Sequence, residues 1–106
     1  IFSLFIENYS DGFEKRSNSD AFLPNSNGIY DIVGNLSEWV HDFYSEDFLL
    51  EGKSFDDYLG PRYSSSHVVK GSNYTSSKLK ELGVSFRSSQ IEASNLIGFR
   101  LARYVY

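Results

Sequence analysis

Residues 24–40, PNSNGIYDIVGNLSEWV, decide how this chain folds. Gly28 and Gly34 stand where turns can require a positive φ, which glycine adopts without steric cost. Pro24 restrains the entry into the first turn, because its ring fixes φ. Trp39 supplies a large apolar side chain beside the second turn. The stretch therefore predicts two turns followed by a core aromatic, and most of its residues are expected to act as scaffold.

Short strands and irregular loops are predicted on the C-terminal side of this stretch. Alternating side chains favour strands at residues 36–44, 67–70 and 97–106, and the last is expected to be anchored in the sheet. A short helix or turn is predicted over residues 76–82, because Leu79 and Leu82 stand at helical spacing after a run of serines. The expected fold class is an irregular, loop-rich α+β domain.

The composition excludes several classes of protein. The chain has 106 residues and a formal net charge of -4, which argues against a nucleic-acid partner because phosphate binding needs clustered lysine and arginine. It has no cysteine, so it cannot form a disulfide, a thiolate nucleophile or a zinc–thiolate site. No apolar stretch reaches the roughly 18 residues of a membrane span.

Three further motifs follow residues 24–40 in a fixed order: GP at 60–61, VKGSNY at 69–74 and GFR at 98–100. The whole pattern resembles the formylglycine-generating-enzyme, or sulfatase-modifying-factor, family, in which a PN-x-x-GLYDM-x-GNVWEW segment leads to GP, RGGSW and GFR. The resemblance implies an irregular fold of the C-type-lectin-like type.

The resemblance also implies a domain assignment. Residues 1–106 correspond to the C-terminal portion of a single sulfatase-modifying-factor-like domain, and the N-terminal portion is expected to be absent. The chain opens inside an apolar segment and contains no methionine, which agrees with this expectation.

Calcium is the cofactor that the resemblance implies. Asp31 and Glu38 match family positions that bind Ca²⁺ through carboxylates, and Gly34 and Leu36 match positions that bind it through main-chain carbonyls. Ca²⁺ accepts six to eight oxygen ligands, and a curved loop can direct such groups at one point. The alternative is a hydrogen-bonded carboxylate pair that stabilises the same loop without metal.

Two further sites are implied by the resemblance. A second calcium half-site would use the Asp11 side chain and the Phe13 carbonyl, together with ligands that precede Ile1, and it is expected to be weak in this chain alone. Arg87 resembles an arginine that lines the substrate groove and is a candidate binding residue. The alternative for Arg87 is an ordinary surface or buried ion pair.

The positions that carry catalysis in the family differ in this chain. Catalytic members oxidise a substrate cysteine with a copper ion held by two cysteines, which align with Ser76 and the neighbourhood of Glu81. Neither residue replaces a soft thiolate ligand of Cu(I). Ser37 and Asn73 also replace a family tryptophan and serine, so formylglycine generation is not expected.

The function predicted from the sequence is a non-catalytic, calcium-stabilised module that acts in binding or structure within a larger protein or assembly. One alternative is an accessory C-terminal domain that completes the active site of an iron-dependent sulfoxide synthase-type enzyme. Another is a variable ligand-binding tip. The expected partner is the N-terminal half of its own domain or another protein chain, and the expected location is extracytoplasmic: periplasmic, cell-surface or secreted.

Overall fold

The computed structural model describes residues 12–46 and 60–105. These residues form a small mixed β-sheet with little helix. The strands are β1 (Ser37–Phe43), β2 (His67–Lys70), β3 (Arg87–Gln90) and β4 (Ile97–Gly98), and a short 3₁₀ helix spans Leu79–Leu82 between β2 and β3.

The sheet has the strand order β3-β2-β1-β4. Strand β1 pairs antiparallel with β2, placing Trp39 opposite Val69, and β2 pairs antiparallel with β3. On its other side β1 pairs parallel with β4, where Glu38 stands opposite Gly98. The end of the 24–40 stretch, residues 37–40, therefore lies in an inner strand, and pairing with β4 brings the GFR motif to its side.

The core of the described residues centres on β2. Val68 and Val69 are 4% and 3% exposed, and successive side chains of a strand point to opposite faces. Strand β2 is therefore covered on both faces at this point, and both positions carry the β-branched residues that suit such a site. Among the residues that the structure describes, the buried polar side chains are all serines: Ser37, Ser66 and Ser72.

Two predicted strands and the short helix are confirmed. The strands predicted at residues 36–44 and 67–70 correspond to Ser37–Phe43 and His67–Lys70, and the helix predicted within residues 76–82 is the 3₁₀ turn Leu79–Leu82.

The strand predicted over residues 97–106 is wrong for most of its length. Only Ile97–Gly98 pairs with β1, residues 99–105 form no strand, and Leu101 and Val105 are 91% and 86% exposed. The pairing of β1 with β2 becomes irregular between Trp39 and Phe43, directly after the last residue that pairs with β4. Such irregularities bend a strand and increase its twist, which moves β1 away from the continuing chain.

Within the described residues, no helix is long and apolar enough to cross a membrane.

Candidate functional site

The first turn of the 24–40 stretch is closed by the side chain of Asn25. Its Oδ1 atom accepts hydrogen bonds from the backbone N–H groups of Asn27 at 2.9 Å and Ile29 at 3.0 Å. The N–H of Gly28 donates to the backbone carbonyl of Asn25 at 2.9 Å, and Gly28 has a φ of 76°. The predicted glycine turn is confirmed, and an asparagine side chain closes it by mimicking a backbone turn.

The second turn curves strongly because three of its residues have a left-handed backbone. Asp31, Gly34 and Asn35 have φ values of 52°, 88° and 63°. Asn35 fixes the turn from one side, accepting a hydrogen bond from the Ser17 N–H at 2.9 Å and donating one to the Ser17 carbonyl at 3.3 Å. From the other side the Gly34 N–H donates to the buried Ser72 hydroxyl at 2.9 Å. Non-glycine residues in this region are uncommon and are held by their surroundings.

Arg100, from the GFR motif, closes the mouth of this loop. Its Nε atom lies 3.0 and 2.8 Å from the two carboxylate oxygens of Glu38, and its Nη2 atom also donates to that carboxylate. The same Nη2 atom donates to the backbone carbonyls of Tyr30 at 3.0 Å and Asp31 at 3.4 Å. The hydrogen bond with Glu38 raises the pKa of Arg100, and the charge of Asp31 acts in the same direction. The guanidinium thus remains charged at any physiological pH.

The four predicted calcium ligands Asp31, Gly34, Leu36 and Glu38 lie on this one loop and the start of β1. Carboxylate and carbonyl oxygens on a tightly curved loop are the ligand type that Ca²⁺ takes, so the residues fit the ion in kind. Two contacts already engage the carboxylates: Asn35 Nδ2 lies 3.5 Å from Asp31, and Arg100 binds both oxygens of Glu38.

Among the residues that the structure describes, no group of three or more His, Cys, Asp or Glu side chains is arranged to hold a metal. Calcium at this loop would therefore depend on main-chain carbonyls as well as carboxylates, and it stays a prediction. Of the second predicted half-site, Asp11 lies outside the described residues. Phe13 is 47% exposed, and its ring packs edge-on against that of Phe22 at 5.7 Å.

A cleft of about 860 Å³ opens between this loop and the segment that follows β4. Its walls include Tyr30, Asp31 and Glu38 from the loop and Phe99 and Arg100 from the GFR motif. Both aromatic side chains are exposed. The first and last sequence motifs, distant in the chain, therefore build one concave surface.

Three positions that differ from the family motif contact one another. The side-chain amide of Asn73 donates to the Ser37 hydroxyl at 3.1 Å, and that hydroxyl donates to the Gly71 carbonyl at 2.8 Å. The backbone N–H of Asn73 donates to the Ser76 hydroxyl at 3.0 Å, and the Ser76 N–H returns a bond to the Asn73 carbonyl at 2.9 Å. Ser37, Asn73 and Ser76 are called the polar cluster below.

Glu81 also binds loop backbone. Its Oε2 atom accepts hydrogen bonds from the N–H groups of Ser77 at 3.2 Å and Lys78 at 3.1 Å. These amides precede the 3₁₀ helix, so the side chain of Glu81 caps the start of that helix. Ser76 and Glu81, the positions assigned to copper-binding cysteines by resemblance, both serve as hydrogen-bond acceptors.

Arg87 begins the edge strand β3 and reaches the residues that follow β1. Its Nη2 atom donates to the carbonyl of Ser45, and its guanidinium carbon lies 5.0 Å from the centre of the Tyr44 ring. These contacts tie the edge of the sheet to the end of β1. A role for Arg87 in ligand binding stays a prediction.

Sequence reasoning did not anticipate the Arg100–Glu38 pair or the polar cluster. Arg100 and Glu38 are 62 residues apart, and Ser37 and Asn73 are 36 apart. A signal was nevertheless present, because Ser37, Glu38, Asn73 and Arg100 belong to motifs that carried the resemblance, and Ser76 follows one of those motifs by two residues. Motifs of one site tend to meet in space, and the sheet register brings them together.

Comparison with known proteins identifies the family of this chain. Residues 2–105 match the family described as the sulfatase-modifying factor enzyme 1-like domain, and the chain belongs to this family. It is 36% identical over 97 residues to the formylglycine-generating enzyme of Mus musculus and 28% identical over 101 residues to that of Streptomyces coelicolor. These alignments cover 87% and 92% of this chain but 25% and 32% of the relatives. The chain thus spans about a quarter to a third of the length of the curated relatives it matches.

A solved structure is similar to the fold. Treponema denticola variable protein 1 superposes with a TM-score of 0.68 and 31% sequence identity, over 80% of this chain and 31% of that protein. The small mixed sheet is therefore shared with a protein of a different name from the curated enzymes.

Proposed function

We propose that this chain is a non-catalytic module of the formylglycine-generating-enzyme type that acts in binding or structure within a larger protein or assembly. The polar cluster carries the proposal. Cu(I) chemistry needs soft thiolate ligands, whereas Ser76 and Glu81 offer a hydroxyl and a carboxylate that are engaged with backbone amides. Asn73 and Ser37 extend the same network, so the altered positions serve the loop structure together.

Calcium is the second part of the proposal. The turn from Asp31 to Asn35 contains three left-handed residues, and Glu38 lies three residues further on in β1, so the candidate oxygen ligands stand close together in the chain. An ion bound there would join the turn to the sheet and stabilise the folded state. An extracytoplasmic location is proposed with it, since Ca²⁺ sites of modest affinity are typical of extracellular modules.

The proposed fold is of the C-type-lectin-like type, and the chain corresponds to the C-terminal portion of a family domain. Support comes from the exposed apolar side chains that follow β4: Phe99, Leu101, Tyr104 and Val105. Contiguous apolar surface of this kind usually marks an interaction site. We propose that the rest of such a domain, or another protein chain, covers it.

A variable ligand-binding tip is the second candidate. It is favoured by the similarity to Treponema denticola variable protein 1 and by the cleft whose walls carry the exposed rings of Tyr30 and Phe99. In this version the cleft would bind the ligand, and its lining residues would determine specificity.

An oxidation assay tests the non-catalytic proposal. The chain is incubated with copper, oxygen and a peptide containing Cys-x-Pro-x-Arg, beside a catalytic formylglycine-generating enzyme as positive control. We expect the thiol to remain unchanged by this chain. The double variant Ser76→Cys, Glu81→Cys serves as a second comparison, because it restores only the two thiols. Aldehyde formed by the unmutated chain above the metal-only background contradicts the proposal.

A further inference from the structure

We propose that Arg100 competes with calcium for Glu38, so that the loop is closed either by the guanidinium or by the ion. The inference rests on the proposed calcium loop and adds the residue that sets its affinity. Arg100 then acts as an affinity-determining residue of the site.

Arg100 engages the whole carboxylate of Glu38. Both of its carboxylate oxygens accept from Arg100, in the two-pronged geometry that makes arginine–carboxylate pairs strong and directional. A calcium ion that uses Glu38 as a ligand needs at least one of these oxygens. Binding of the ion therefore weakens or breaks the pair.

The charges around the loop also set Arg100 against a bound cation. Asp31 and Glu38 carry two negative charges, and Arg100 places one positive charge against them, with further bonds to the carbonyls of Tyr30 and Asp31. The guanidinium thus occupies the position at which the two carboxylates would attract a metal ion. It also repels a divalent ion that approaches the same carboxylates, so calcium affinity should rise when the positive charge is removed.

The Arg100–Glu38 pair is accessible from solvent. The Arg100 and Glu38 side chains are 39% and 29% exposed and line the open cleft, so an ion can reach the pair from water. Arg100 also lies beyond Gly98, where pairing with β1 has ended. Its side chain can move away without breaking a hydrogen bond of the sheet.

Calcium titration by calorimetry at low ionic strength tests the competition in three proteins: the unmutated chain, Arg100→Gln and Arg103→Gln. The Arg103 variant is the matched control, because it removes the same charge from an exposed position in the same segment. We expect Arg100→Gln to bind Ca²⁺ about tenfold more tightly, the scale of one unit charge about 5 Å from a divalent ion in water-like surroundings. The control should change the affinity less than twofold.

A second measurement observes the exchange directly in the unmutated chain. The Nε–H proton of Arg100 is hydrogen-bonded to Glu38, so its NMR signal is expected to be displaced from the signals of solvent-exposed arginines. Saturating Ca²⁺ should return this signal to the position of free arginines.

The outcomes separate the inference from the proposed function. Calcium binding with an unchanged Arg100 signal and equal affinities in all three proteins overturns the competition and leaves the calcium loop standing. Binding by Arg100→Gln alone supports the competition and removes calcium from the function of the unmutated chain. Absence of binding in all three overturns both.

Discussion

The side-chain amide of Asn73 donates a 3.1 Å hydrogen bond to the hydroxyl of Ser37, joining two positions at which this chain departs from the family motif. The motif has a large tryptophan where Ser37 stands and a small serine where Asn73 stands. In this chain both positions carry polar side chains, and the hydrogen bond joins them directly. The contact predicts that substitutions at the two positions are coupled in their effect on stability.

Removing the Ser37 hydroxyl should destabilise the fold. Ser37→Ala leaves the Asn73 amide and the Gly71 carbonyl without this partner at a site where Ser37 is 5% exposed, and such losses cost about 1 to 3 kcal/mol. In a double-mutant cycle with Asn73→Ala, the two changes should be coupled by roughly 0.5 kcal/mol or more. Denaturant unfolding measures both values.

The exposed Ser65→Ala is the control for that cycle and should change the free energy of unfolding by less than about 0.5 kcal/mol. Strictly additive effects of Ser37→Ala and Asn73→Ala would show that the two side chains act independently.

Calcium should raise the melting temperature if the Asp31 to Glu38 loop binds it. An ion bound only by the folded state adds about 2.7 kcal/mol at one hundred times its dissociation constant. Glu38→Ala removes a carboxylate ligand and should abolish most of the rise, whereas Glu92→Ala, an exposed glutamate outside the loop, should retain it. A melting curve of the unmutated chain that is identical in calcium and in chelator would favour the loop without metal.

Alanine at Gly60 should be more costly than alanine at Gly28. Both glycines have a positive φ, 85° and 76°, which costs an L-residue roughly 1 to 2 kcal/mol. A Cβ atom at Gly28 meets nothing within 4 Å, but at Gly60 it would lie 3.2 Å from the Cβ of Asp42 and 3.4 Å from the carbonyl of Phe43. The two variants share the backbone strain, and only Gly60→Ala adds the clash. Equal losses in denaturant unfolding would mean that residue 60 moves aside freely.

The apolar segment after β4 should bind a hydrophobic dye when the chain is expressed alone. Leu101→Ser and Val105→Ser should reduce dye fluorescence and self-association with little loss of stability, because both side chains are already exposed. Val69→Ser, in the core, should instead unfold the chain and increase the signal. A monodisperse monomer without dye binding would show that this surface needs no partner.

The sequence predicted the strand whose apolar, β-branched side chains indicate burial. Val68 and Val69 are β-branched and buried, and β2 was predicted with its correct bounds. Strand β3 escaped notice because Arg87, two serines and Gln90 form a polar edge strand that carries no apolar pattern. The terminal strand was predicted too long because alternating side chains show only that a segment is able to pair. Pairing also requires that the neighbouring strand, here β1, continue alongside it.

The candidate site likewise contains features that the sequence predicts and features that it does not. Turn residues such as Gly28 and Gly34 could be predicted because a positive φ is a local property of the backbone. The partner of Glu38 could not, because choosing Arg100 among the available cations depends on the parallel register between β1 and β4.

The position of β1 between β2 and β4 has a consequence for how fast the chain folds. Its parallel neighbour β4 comes last among the strands, so the sheet is completed only after a long loop has closed, and the entropy of that closure opposes the step. Domains dominated by such distant pairings fold slowly. Until β4 arrives, one edge of β1 stays open to strands of other molecules, so cotranslational chaperone binding and low expression temperature should increase the yield of folded protein.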